Sequence, residues 1–273
     1  MWRSILITGM FAVAHVMGTN AGMAQEFRIR TTVYHHQPQV EPTIVSRSVS
    51  IFHAEKVYDH VDGLGEVTIF DPARKRVVIL NESRMIKAVI NFDEIKNVLN
   101  VARHQTKEYI HDQIKTKGVT GEKIASQLQF QLDPKFDIQF EDSRNQLSLD
   151  SQLLTYRVQC VPPDQQAAGE TYLRFADWMA RLNYVLHPYT LHPASRIMLN
   201  EELRTRNLLP IEVELQTRME ERLHLRAEHK IHWKLDHKDR GLIHHWETLR
   251  KNKDVNTITL QEYLRNQFAN LRK

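Results

Sequence analysis

Apolar and polar residues alternate over most of the chain. Phe27, Ile29, Thr31 and Val33 alternate with Arg28, Arg30, Thr32 and Tyr34, the period of a strand with one buried face. His36 to Pro42 holds two prolines and reads as a loop, and Thr43 to Phe52 is β-branched and serine-rich, again strand-like. Asp62-Gly63-Leu64-Gly65, Asp71-Pro72 and Asn81 to Arg84 punctuate three further strands, Glu66 to Phe70, Arg76 to Leu80 and Met85 to Asn91. The first third of the chain therefore predicts an antiparallel meander.

The period then changes to that of a helix. Asp93 is placed to cap a helix carrying Ile95, Val98, Leu99, Ala102, Ile110 and Ile114 on one side, and Gly118 and Gly121 end it. Alternation returns at Leu128, Phe130 and Leu132, and continues through Phe136, Ile138, Phe140, Leu147, Leu149 and Leu154 to Cys160. These segments predict short strands, with turns at Asp133-Pro134 and Ser143-Arg144-Asn145. After Pro162-Pro163, Asp164 is placed to cap a second helix with an apolar stripe from Ala168 through Tyr172, Phe175, Met179 and Leu182 to Leu186, stopped by His187-Pro188. A shorter helix is expected over Ala194 to Arg206, followed by strand positions at Ile211, Val213 and Leu215.

The longest alternation runs Leu223, Leu225, Ala227, His229, Ile231, Trp233, Leu235. Lys238 to Gly241 then reads as a turn, with Leu242 to Leu249 as the returning strand. A four-residue turn would set Trp233 opposite Trp246. Thr259 and Glu262 have capping-box spacing for a last helix with Tyr263, Leu264, Phe268 and Leu271. No fixed-period repeat and no Pro/Gly/Ser-rich linker divides this pattern. The expected fold is α+β: one large curved antiparallel sheet of roughly nine to eleven strands, a half-open β-barrel. The helices at 93–117 and 164–186 would pack on its concave side.

Residues 1–24 break the pattern. Met1-Trp2-Arg3 carries one positive charge, Ser4 to Gly18 is largely apolar, and the first acidic residue is Glu26. Gly22 and Ala24 stand at −3 and −1 if cleavage precedes Gln25. This is the layout of a secretory signal peptide, with a membrane anchor as the alternative. No Cys sits at the cleavage point to take a lipid. The expected organisation is a signal peptide, 1–24, and a single α+β domain, 25–273, secreted or periplasmic. Cys160 is the one cysteine, so no internal disulfide can form and a packed core must hold the fold. A buried, inert thiol is its expected state.

The strand leading into Glu66-Val67-Thr68-Ile69-Phe70-Asp71-Pro72, the return over Arg76-Val77-Val78-Ile79-Leu80, and the third strand entering a helix resemble the periplasmic lipoprotein carriers, the LolA-like fold. The resemblance covers about residues 27–117. It implies a half-open β-barrel plugged by helices, with acyl chains carried between sheet and helices. It assigns no ligand-contacting residue.

Candidate chemistry is sparse. There are 15 histidines, six of them between His224 and His245. A metal site needs several such groups converging on one point. His229 and His237 share a strand face but stand about 26 Å apart at ~3.3 Å per residue. Convergence would need a neighbouring strand, with His244 brought beside Leu235 and His237. His35-His36 and His53 with His60 lack ligand spacing. Asp137, Glu141 and Asp142 read as outward strand positions. G-x-S-x-G, G-x-x-x-x-G-K-[ST], H-E-x-x-H and C-x-x-C are all absent.

Arg222, Arg226, Lys230 and Lys234 share one strand face, suited to an anionic lipid surface or polyanion, or simply to solvent. A net charge of +4 is no nucleic-acid signature. The chain thus reads as an exported binding protein for an apolar or lipid ligand, without cofactor or catalysis. Its partners would be a lipid or lipoprotein at a membrane surface, not nucleic acid. A metal-dependent extracytoplasmic hydrolase built on His224–His245 and a structural cell-envelope component remain the alternatives.

Overall fold

The computed structural model describes residues 26–116, 118–219 and 222–270. The leader over 1–24 and Leu271 lie outside the described residues. The meander forms as its alternation requires: β1 (Phe27–Gln37), β2 (Val40–His53), β3 (Lys56–Val61), β4 (Glu66–Asp71), β5 (Arg76–Asn81) and β6 (Ile86–Asn91). Helices α1 (Phe92–Thr116) and α2 (Gly118–Leu132) follow, then β7 (Asp137–Glu141), β8 (Gln146–Asp150) and β9 (Leu154–Val161). Next come α3 (Gln166–Leu186), α4 (Ala194–Thr205), β10 (Leu209–Thr217) and β11 (His224–His232). The chain ends with α5 (His237–Lys251), β12 (Asn256–Ile258) and α6 (Leu260–Asn270).

The fold is α+β, with one open sheet of twelve strands in the order β12-β6-β5-β4-β3-β2-β1-β11-β10-β9-β8-β7. The first strand is therefore internal, pairing with β2 on one side and with β11 on the other. The sheet is mixed and not wholly antiparallel, because β12 runs parallel to β6. No helix among the described residues is long and apolar enough to cross a membrane.

Both faces of the first half of the sheet are covered. On β5, Val77 and Ile79 enter one core and Val78 and Leu80 the other, which is why that strand is a continuous apolar run. The first core joins Phe27, Phe52 and Phe70 to α3, α4 and α6. Phe27 stacks on Phe52 at 4.1 Å, and Phe175 meets Phe52 edge-on at 5.6 Å. The second core is the opposite face, where Ile51, Tyr58, Val67, Ile69, Val78 and Leu80 meet Ile243 and Trp246 of α5.

Five expectations are corrected. Leu242–Leu249 is not a strand. Asp236 and Asp239 form a capping box, with the Asp239 N–H donating to Asp236 Oδ1 (3.0 Å) and the Asp236 N–H to Asp239 Oδ2 (2.8 Å). This starts α5 where a turn at Lys238–Gly241 was expected. Ile243 and Trp246 are then helix neighbours, and the Trp233–Trp246 pair does not exist. Trp233 packs near Phe27 at 5.6 Å, while Trp246 stacks on Tyr58 at 6.1 Å on the other face.

Second, Leu128, Phe130 and Leu132 belong to α2 and not to a strand. Gly121, Ala125, Leu128 and Leu132 recur at helical spacing, and they face Ile110 of α1. Gly118, at φ +54°, does end α1 as its freedom at positive φ allows, but Gly121 lies inside the next helix. Third, the loop at His36–Pro42 is largely ladder, with Gln37 paired to Val40 across a turn at Pro38-Gln39. Fourth, Gln165 and not Asp164 holds the cap position of α3. Fifth, Asp93 lies in the first turn of α1, one residue inside the helix.

Glu247 pins α5 to β3, accepting from Lys56 Nζ at 2.7 Å and Tyr58 Oη at 2.8 Å. Burial alone would raise its carboxyl, but hydrogen bonds from Lys56, Arg250 and Tyr58 win and hold it at about 2. The folded value lies below the unfolded one of ~4.3, so this clamp stabilises fully above that pH and is lost as pH falls toward 2. Urea midpoints measured between about pH 5 and 2 should fall more steeply for the wild type than for Glu247→Gln. Equal slopes would refute the clamp.

Candidate ligand cavity and its polar wall

The register fixes which side chains share each level of the inward sheet face. One level is wholly apolar: Phe52, Val57, Phe70, Val77 and Ile90, paired in turn across β2 to β6. The next is Ser50, Asp59, Thr68, Ile79 and Ala88. The one after is Ser48, Val61, Glu66, Asn81 and Ile86, and it continues through Thr31 of β1 to His229 of β11. Two successive levels of a core-facing surface thus turn polar. Such positions are apolar unless something is satisfied or bound there.

Opposite these levels the packing opens. A cavity of about 640 Å³ lies between β3, β4 and β5 on one side and α3 and α6 on the other. Its sheet wall is Asp59, Val61, Glu66, Thr68, Ile79 and Asn81. Its helical wall is Met179, Leu182, Asn183 and Leu186 of α3 with Tyr263 and Gln267 of α6. Leu64, Arg84 and the His187-Pro188-Tyr189 segment complete the lining. Tyr189 is 94% exposed and Leu64 62%, which marks their side as the mouth.

The polar wall is organised. Glu66 accepts from Tyr263 Oη at 2.8 Å and from Asn81 Nδ2 at 2.9 Å, and Gln267 Nε2 donates to Tyr263 Oη at 2.9 Å. Burial and the adjacent Glu66 carboxylate both raise the Tyr263 hydroxyl, keeping it a donor. Deeper in, Ser50 Oγ donates to Asp59 Oδ1 at 2.6 Å. Burial raises the Asp59 carboxyl, opposed in part by the Ser50 hydrogen bond and His60. Enclosed by protein, Asp59 still keeps accessible area, and that area opens on the hollow it lines. The arrangement offers an apolar slot with a few fixed polar groups, the usual make-up of a small-molecule site.

The histidines singled out as metal candidates do not converge. His229 stands on the inward face, its Nδ1 2.8 Å from Thr31 Oγ1 and its Nε2 buried without a partner. Its ring faces Tyr172 at 6.4 Å. His237 and His244 ride exposed on α5, across the sheet from it, because the expected hairpin partner is a helix. Among the described residues no group of three or more His, Cys, Asp or Glu is placed to hold a metal ion. The other histidines are dispersed: His36 stacks on His224 at 4.6 Å, His53 bonds Glu26 at 2.6 Å, and His60 stacks on Trp246 at 5.7 Å.

The basic run on β11 is interleaved with acid, since Arg226 pairs with Glu228 at 3.0 Å and lies over the Tyr34 ring at 5.0 Å. Asp137, Glu141 and Asp142 are exposed. Cys160 is buried, and burial pushes its thiol up to about 11. No family model and no curated protein sequence matches the chain.

The wall residues Asp59, Glu66, Asn81 and Tyr263 were not singled out from the sequence as a site. A signal was present, since Asp59 shares strand parity with Val57 and Val61. A lone inward acid between two valines is the sort of exception that marks a site.

His229 carries a pH consequence. Burial, then the positive charge of Arg196, pulls its ring down to about 3. The unfolded ring titrates at ~6.5, so between ~6.5 and 3 the unfolded chain binds the extra proton and stability falls with pH. His229→Gln should lessen that fall in urea titrations across the window. An unchanged slope would mean the ring is not held neutral.

Proposed function

We propose that the protein is an exported binding protein that holds an apolar or lipid ligand in the cavity between the sheet and helices α3 and α6. The observation that carries the reading is the cavity itself, about 640 Å³ with Val61 and Ile79 facing Met179, Leu182 and Leu186. That volume falls within the ~300–1,000 Å³ usual for small-molecule pockets. Apolar walls open to solvent favour an apolar guest by about 25 cal/mol for each Å² covered.

On the same reading the sheet is the half-open barrel of the lipoprotein carriers that residues 27–117 resemble, with α3 and α6 on its concave side. Residues 1–24 are the export leader, and the site of action is the periplasm or the cell exterior. The partner is a lipid or lipoprotein, met at a membrane surface. The alternating signs along β11, such as the Arg226–Glu228 pair, support a solvated outer face over a nucleic-acid or polyanion surface.

Native mass spectrometry of the exported protein, purified without detergent, tests this. Co-purifying lipid, or saturable binding of a fluorescent fatty acid, is expected. Leu186→Trp fills the slot. Excluding roughly 100 Å² of ligand surface costs about 2.5 kcal/mol, a loss of roughly 60-fold in affinity with the thermal midpoint kept. A wild type that carries no lipid and binds no such probe would overturn the proposal.

A further inference from the structure

We propose that Asp59, as a neutral acid, is the polar anchor of the cavity and donates a hydrogen bond to a carbonyl oxygen of the ligand. The cavity then selects molecules carrying an ester or amide carbonyl at the head of an apolar chain. This rests on the ligand-binding reading given above.

Register places Asp59 on the inward face of β3 with Val57 and Val61, and it lines the cavity beside Thr68 of β4. Ser50 Oγ–H is committed to Asp59 Oδ1 at 2.6 Å. While Ser50 donates there, the acid proton sits on Oδ2, the one O–H donor a carboxylic acid offers. Among the described residues that donor has no acceptor in the protein.

The surroundings favour the neutral form. Ser50 of β2 and Thr68 of β4 are uncharged, Tyr172 of α3 is kept protonated by burial, and the imidazole of His60 projects from the other face of β3 against Trp246. No ion pair involves Asp59 among the described residues, and burial without a paired cation raises a carboxyl. Glu66, one level away, already accepts from Tyr263 and Asn81, and a carboxylate has no donor to offer a carbonyl. Asp59 is the unclaimed group, and a hydrogen-bond acceptor is what it lacks.

The test is competition against a fluorescent acyl probe by methyl palmitate, heptadecane and hexadecylamine, using the full exported protein. The wild type should prefer the ester to the alkane by roughly 10-fold, the effect of pairing one otherwise unmet donor. Asp59→Leu should lose the preference and bind ester and alkane alike, while Asp59→Asn, which retains a donor, should keep it.

A second measurement needs no variant: the stretching band of a ¹³C-labelled ester carbonyl should move to lower frequency when bound to the wild type. A preference that survives in Asp59→Leu, a loss of it in Asp59→Asn, tightest binding of the amine, or an unshifted carbonyl band would each overturn the anchor and leave the carrier reading standing. If neither ester nor alkane binds the wild type, the carrier reading falls and the anchor with it.

Discussion

The pairing of β1 with β11 is the joint on which the rest of the molecule depends. It sets Ile29 beside Ile231 and Thr31 beside His229, uniting a meander from the start of the chain with strands from its later half. A charge cluster locks the seam at one end. Arg28 bonds Asp236 at 2.6 Å and also Asp239, although the two partners of the first bond lie 208 residues apart in sequence. Arg28 and Asp239 are buried, so each needs the other to offset its desolvation. The same aspartates cap α5, so the seam of the sheet and the start of the outer helix share their bonding partners. Closing so long a loop is entropically costly, and the gain arrives only when the inward face of the joined sheet is covered.

Helix α3 supplies that cover. Phe175 packs on Phe52 in the first half of the sheet, and Tyr172 reaches His229 across the seam. The helix is longer than the tightly packed part of the sheet beneath it. Its final turns, with Met179, Leu182 and Leu186, extend over the two levels where the strands turn polar, and apolar side chains face hydroxyls and carboxyls across a gap. The hollow thus arises from a mismatch between a helix that stays greasy to its end and a sheet that does not.

Strand order in the meander was legible because short turns and two-residue alternation leave few other arrangements. Two kinds of segment were not. Gln127 to Leu132 alternates perfectly, yet the same residues also meet the spacing of a helix once Gly121 and Ala125 are counted as small apolar contacts. Packing against Ile110 decides between them. Leu242 to Leu249 reads as a returning strand because Lys238 to Gly241 reads as a turn, whereas the Asp236–Asp239 box starts a helix there. Aspartate suits both, and Arg28, brought from β1, binds both carboxylates of the box. The cavity was legible in one half only: the apolar stripe of α3 was visible, whereas the polar level through Thr31, Glu66 and Asn81 exists only once register aligns strands far apart in sequence. The sequence places Tyr263 on the last helix; it is buried there, and its hydroxyl is spent on Glu66.

The last stretch of chain crosses from one side of the sheet to the other. Val255 is still packed with α5 on the outer face, β12 runs along β6, and Leu260 and Tyr263 enter the core on the inner face. An open sheet this wide would ordinarily present two adhesive borders, each ready to recruit a strand from another molecule. Here one border is β12, an edge strand of only three residues, and the other, β7, carries exposed Asp137 and Glu141. The two rims of this unclosed sheet are thus blunted by different means, one by the shortness of its last strand and the other by charge.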